Sequence, residues 1–292
     1  MERASDILKQ THVARLIEEA LALEAEEAQA AGTLGFMARA LVQATMPHRR
    51  PETSQFVRRN GAFTLTIMAP SEVGLPYGSV PRLLLAWLTT EAVRTKSREL
   101  VLGDSLSEFM RQLGMVPTGG RWGSITRLRA QSHRLFASSV SCLYRRDARG
   151  VAEAGFRIAD RHVLWWDPKT PRQTELFGSS VVLSEPFFRE VTARPVPIDL
   201  RTLRALSKSP MQLDIYVWLT YRMSYLRRDT TIPWQVLQAQ FGAEYHRLRA
   251  FKAAFLEHLK KVHTVYQAAK TDPTQAGLVL YPSAPHVPRL ER

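Results

Sequence analysis

Apolar residues recur at spacings of three and four over residues 79–95, 105–113, 121–138, 210–226, 233–241 and 244–262, a pattern that predicts amphipathic helices. Shorter runs with a period near two, or wholly apolar, predict strands at 61–69, 99–102, 140–144, 154–158, 162–166, 181–183, 230–232, 264–268 and 278–281. A short helix is expected over 199–206, and an acidic amphipathic one over 12–31, where Arg15 faces Glu18, Glu19, Glu24, Glu26 and Glu27. Residues 46–60 carry two prolines and four arginines and read as a linker or basic arm. The proline-bearing stretch 167–180 reads as an interdomain connection.

The order of these elements repeats. Trp87-Leu88-Thr89 lies in a long apolar helix, followed by a short strand, a ten-residue unit from Ser105 to Gly114, and a basic helix. Trp218-Leu219-Thr220 lies in a second such helix, followed by a short strand, a unit from Pro233 to Gly242, and another basic helix. Ser105 with Glu108 three residues on forms a capping box, and Gly114 suits the position just past a helix end. A hairpin after each basic helix would complete a winged helix-turn-helix. The first wing tip is expected at Arg145–Gly150 and the second at 270–277. The fold class expected is therefore α+β: two tandem winged helix-turn-helix domains preceded by an N-terminal helical segment. The boundaries are 1–55 for the N-terminal segment, 56–176 for the first domain and 177–292 for the second.

Charge sharpens this picture. Forty Lys and Arg against 27 Asp and Glu give a net charge of +13, a field that attracts polyanions. One cysteine, Cys142, excludes an internal disulfide, suits a reducing cytoplasmic compartment, and reads as a buried thiol. No apolar run approaches the ~18 residues that cross a bilayer, so no membrane role is expected. The N-terminus has no secretory signal.

The candidate chemistry lies on the two basic helices. In the first, Trp122, Ile125, Leu128, Leu135 and Phe136 share an apolar stripe, while Arg121, Ser124, Arg127, Gln131 and Arg134 fall beside it as an outward polar face. In the second, Leu248, Phe251, Phe255, Leu259 and Val262 form the stripe, and Tyr245, His246, Arg249, Lys252, Ala253 and Lys260 the neighbouring face. Arginine can bridge guanine or grip phosphate, and glutamine can pair with adenine. Base reading falls to Tyr245, His246, Arg249 and Ala253, and phosphate contact to Lys252, Lys260, Lys261 and the wing-tip residues Arg145, Arg146 and Arg149. Packing against the wing is the competing role for Tyr245. No GxxxxGK[ST] or GxGxxG occurs, and the eight histidines show no metal-ligand spacing, so no enzyme activity, cofactor or metal is expected.

The segment from Gly74 to Leu113 (GLPYGSVPRLLLAWLTTEAVRTKSRELVLGDSLSEFMRQL), followed from Gly119 by GGRWGSITRLRAQSHRLFASSVS, closely resembles the plasmid-encoded RepA replication initiator proteins. The likeness runs from about Ala69 to Pro282 and leaves residues 1–55 outside it. It implies a protein that binds repeated sites (iterons) in a plasmid origin, starts replication with host replication proteins, and often represses its own gene. It also implies that Tyr245, His246, Arg249 and Lys252 read sequence in the major groove, and that the Arg121 helix contacts flanking DNA backbone. A homodimer stays open, with the strands at 61–69 and 161–166 available to pair between subunits. A promoter-binding regulator of the same fold, an origin-nicking or priming enzyme, and a protein-interaction module remain as alternatives.

Overall fold

A computed structural model describes residues 34–38, 41–42, 44–60, 63–103, 105–146, 150–164, 179–193, 195–242 and 245–287. The acidic helix expected at 12–31 lies outside them. The protein is mixed α+β, with small antiparallel sheets and eight helices among the described residues. The helices are α1 (Ser79–Thr95), α2 (Leu106–Gln112), α3 (Ser124–Ala137), α4 (Glu185–Ala193), α5 (Leu200–Ala205), α6 (Pro210–Met223), α7 (Trp234–Phe241) and α8 (Leu248–His263).

The final unit follows the order read from the sequence. Helix α6 leads into strand β10 (Thr230–Pro233), then α7, α8 and the hairpin β11 (Thr271–Pro273) and β12 (Gly277–Leu280). The sheet order is β10-β12-β11. Residues 264–268 do not form the expected strand. Tyr266 turns back on the end of α8, its N–H bonding the Val262 carbonyl at 2.9 Å, and its ring is fully buried.

The first unit reproduces that order with different pieces. Helix α1 leads into β4 (Glu99–Val101), α2 and α3, and the sheet is β4-β8-β7, with β7 at Ala159–Val163 and β8 at Ser180–Leu183. The positions of β11 and β12 are thus held by β7 and β8. The hairpin expected to be this wing, β5 (Ser139–Arg146) and β6 (Gly150–Arg157), instead extends β2 (Gln55–Asn60) and β3 (Phe63–Met68) into a four-stranded sheet. Two expectations are corrected by these pairings. Residues 181–183 hydrogen-bond to β4 and β7, not to the second repeat. Strand β3 is flanked on both sides, by β2 and β5, so it offers no edge to another subunit; β7 does lie at a sheet edge.

In each unit the tryptophan of the leading helix meets a phenylalanine of the next edge-on, a geometry the ring quadrupoles favour. Trp87 and Phe109 stand 4.9 Å apart at 88°, and Trp218 and Phe241 5.4 Å apart at 79°. Ser105 caps α2 as its spacing predicts, accepting from the Glu108 N–H at 3.3 Å. Gly114, at φ +71°, closes that helix: its own N–H bonds the Arg111 carbonyl and Met115 N–H the Met110 carbonyl, the paired bonds of a Schellman end.

The stretch read as a linker is structural. Thr45 and Met46 are buried, and Arg58 is 2 % exposed within β2. The chain just before it, β1 (Leu34–Met37), pairs with β9 (Val196–Asp199). Thr45 donates its hydroxyl to the Gln240 carbonyl in α7 at 3.0 Å. His48 Nε2 lies 2.7 Å from the Asp214 carboxylate in α6, and the same carboxylate receives two 2.7 Å bonds from Arg82 in α1. The Arg82 guanidinium also donates to the carbonyls of Met46 (2.7 Å), Gly78 (2.7 Å) and Pro47 (3.2 Å). One buried cluster therefore ties the leading helices of both units to the 45–48 segment.

Candidate nucleic-acid interface

Helix α3 buries Ile125, Leu128, Leu135 and Phe136 as its stripe predicts. Trp122 does not join them. It precedes the helix, is 82 % exposed, and the Arg121 guanidinium lies 5.1 Å from its ring. The outward polar face differs from the expected one. Arg121 and Arg127 are exposed, but Ser124 and Gln131 are buried at 5 % and 6 %. Ser124 Oγ donates to the Val116 carbonyl at 2.6 Å, and its N–H donates to Thr118 Oγ1 at 2.9 Å. Gln131 Oε1 accepts the Tyr77 N–H at 2.9 Å. Arg134 is half-buried, donating to the Leu75 carbonyl at 3.2 Å with its guanidinium over the Tyr77 ring. These three side chains hold the loops around 75–77 and 116–118 in place, a structural duty in place of the outward one expected of them. Thr126, Arg127, Arg129, Ala130 and His133 form the solvent face. The candidate face leaves out Arg129 and His133, which the helical repeat places on the flank of the stripe opposite Ser124 and Gln131.

Arg145 and Arg146 lie on β5, paired with Val151 and Gly150. Their side chains and the tip at 147–149 lie outside the described residues.

Helix α8 packs Phe251, Phe255, Leu259 and Val262 inward, against α6 and α7. His246, Arg247, Arg249, Ala250, Ala253, Lys260 and Lys261 are exposed. Tyr245 precedes the helix and is half-buried, edge-on to Phe251 at 5.9 Å, so its ring serves packing. Lys252 is half-buried too. Its ammonium sits 4.6 Å above the Trp234 ring and donates to the Thr274 carbonyl at 3.0 Å, fastening α8 to α7 and to the β11-β12 hairpin. A phosphate contact by Lys252 would share the ammonium with these two partners. One acid, Glu257, stands on the exposed face and pairs with Lys261 at 3.2 Å.

Other basic residues are engaged locally. Arg94 pairs with Glu91, and Arg98 with Asp160 at 2.6 Å and Glu185 at 3.3 Å. Arg222 donates to the Tyr225 hydroxyl at 2.7 Å.

The remaining reactive groups are quenched. Burial, then the charge of Glu190, pushes the Cys142 thiol up to about 12, so it carries little thiolate at neutral pH. Tyr216 is fully buried, bonded to the Asp199 N–H and to His286, and burial raises its hydroxyl far above the ordinary value. Among the described residues no group of three His, Cys, Asp or Glu could hold a metal, and no helix is long and apolar enough to cross a membrane.

Against solved structures, the chain is similar to domains 2 and 3 of RctB in the crystal structure of their selenomethionine derivatives. The TM-score is 0.53 at 13 % identity, over 83 % of this chain and 95 % of that one. A second RctB domain 2–3 structure covers the same shares at 14 % identity with a TM-score of 0.48. No individually curated protein matches the sequence. Residues 75–236, more than half of the chain, match the family described as plasmid encoded RepA protein. The match takes in α1 to α3, the β4-β8-β7 sheet, α6 and the first turn of α7, and the chain belongs to the plasmid-encoded RepA family.

Proposed function

We propose that the protein is a replication initiator that binds double-stranded DNA at repeated sites of a plasmid origin through two winged-helix units. The observation that carries this reading is the pair of exposed basic helix faces, α3 and α8. Each closes a helix–strand–helix–helix unit whose sheet runs in the same order, β4-β8-β7 and β10-β12-β11. In this fold the first turns of the last helix meet base edges. Arg249, with His246, Arg247 and Ala253 around it, is positioned for that role at the start of α8. Lys260 and Lys261 at its far end suit phosphates. Arg121 just before α3, with Arg127 and Arg129 on it, supplies the cations. The fold likeness to RctB domains and membership of the RepA family support the initiator assignment over a promoter-only role. Host replication proteins are the further partners proposed, with repression of the protein's own gene a consequence of binding near it. The single, quenched cysteine suits a cytoplasmic site of action.

The test is gel retardation and footprinting on the DNA flanking the gene, across a salt series. Regularly spaced protections, with affinity falling linearly on a log–log salt plot, are expected. A protein that leaves that DNA unretarded at low salt refutes the proposal. A plasmid-maintenance assay then separates initiation from regulation: a promoter-only regulator would be dispensable for plasmid survival.

A further inference from the structure

Resting on the DNA-binding reading above, we propose that Trp122 is an apolar wedge that inserts between base pairs of duplex DNA at the N-terminal end of α3. Trp122 and Val116, 82 % and 78 % exposed, are the two most exposed large hydrophobic residues among those described. They sit on one loop, 115–123. An exposed tryptophan on a loose loop would be unremarked, but this loop is braced throughout. Thr118 N–H donates to Ser124 Oγ at 2.9 Å and Ser124 N–H returns to Thr118 Oγ1 at 2.9 Å. Thr126 Oγ1 donates to the Gly120 carbonyl at 2.9 Å, and Gly123 N–H bonds the same carbonyl at 3.1 Å. Gly123 packs so tightly that a Cβ there would lie 2.2 Å from the Thr118 carbonyl oxygen. The fold thus spends its hydrogen bonds on holding a hydrophobic tip in water.

The surroundings of the tip select the partner. No acidic residue occurs between Met115 and Arg146, and Arg121, Arg127 and Arg129 are exposed beside the tip. A protein partner that buried the tryptophan would have to match this run of positive charge, whereas DNA backbone supplies the counter-charge along its whole length. The Arg121 guanidinium lies over the indole, 5.1 Å from its centroid; as the ring enters the stack it would leave that face for a neighbouring phosphate. Apolar side chains inserted this way unstack a base step, untwist the duplex and kink it. That deformation is what an initiator needs beside an origin.

The test is plasmid DNA relaxed by topoisomerase I in the presence of the full chain, then stripped of protein and resolved into topoisomers. The wild-type protein is expected to shift the distribution toward unwinding. Trp122→Ala should lose the shift while still retarding duplex within on the order of tenfold of wild type, the size of one lost stacking contact. Trp122→Phe should keep most of it. An unwinding shift by Trp122→Ala equal to wild type overturns the wedge, as does a wild-type protein that retards duplex without changing its linking number. A wild-type protein that retards no duplex at all instead overturns the DNA-binding reading beneath it.

Discussion

Replacing Asp214 by asparagine should destabilise the protein by about 3–5 kcal/mol, the usual cost of removing one partner from a buried ion pair. The geometry supports the upper part of that range. Arg82 is 2 % exposed and Asp214 9 %, and both guanidinium-to-carboxylate bonds measure 2.7 Å. Asparagine keeps one acceptor and turns the other toward the guanidinium as an N–H₂ donor. The cation is left with the Met46, Pro47 and Gly78 carbonyls and no counter-charge. His48 loses its partner in the same step. Against a typical stability of about 5–15 kcal/mol this is a large fraction. Taking a urea slope of about 3 kcal/mol/M, the midpoint should fall by roughly 1–2 M. Urea unfolding followed by far-UV circular dichroism and by tryptophan emission would measure it, since Trp218 lies on α6 with Asp214 and Trp87 on α1 with Arg82. The double variant Arg82→Met, Asp214→Leu should recover part of the loss, because an apolar pair leaves no unpaired charge. A midpoint for Asp214→Asn indistinguishable from wild type would refute the reasoning, and a double variant weaker than the single one would refute the electrostatic part of it.

Burial holds the His48 imidazole below its ordinary value despite the bond to Asp214, so the unfolded chain takes up that proton first. Stability should decline as pH drops below about 6.5, and His48→Gln should flatten that decline in urea titrations at a series of pH values. Gly123→Ala forces its Cβ against the Thr118 and Gly119 carbonyls and should cost about 1–3 kcal/mol, read as a lowered thermal midpoint; an unchanged midpoint would mean that the loop yields. Arg249→Ala should weaken binding to a selected duplex by about 1–3 kcal/mol more than to random duplex in titrations at one salt concentration. Equal losses on both would make Arg249 a phosphate contact.

What the sequence revealed was local. The stripes of α3 and α8, the Ser105 cap and the Gly114 stop are written within a few residues of where they act, and each but the Trp122 end of the α3 stripe is found where its spacing places it. Side chains beside a stripe were less legible. Ser124, Gln131 and Arg134 are polar and flank the stripe, yet their destinations are backbone groups of the 75–77 and 116–118 loops, which no helical wheel displays. Trp122 falls on the stripe only if the helix starts at Arg121; it stands just before α3, where the wheel does not apply. The first unit's hairpin is hidden for a related reason. Strands β5 and β7 both carry apolar residues after α3, and only their partners, β3 and β8, decide which of them completes the sheet with β4. Those partners are long-range, as are the buried contacts of residues 45–48, which open a stretch, 46–60, whose prolines and arginines have the composition of a linker.

The Thr45 hydroxyl and the carbonyl it binds are separated by 195 residues of chain. During synthesis at about 5–20 residues per second, the early half of that contact leaves the ribosome roughly ten to forty seconds before its mate is made. Strand β1 waits similarly for β9, and Arg82 for Asp214. The nascent N-terminal portion therefore emerges with an unpaired strand and an arginine awaiting its counter-ion, and neither unit can reach its finished state until α7 has been made. Closure of the seam between the units waits for α7, and a truncation in α7 should leave the first unit stranded in a loosened form rather than as an independent fragment.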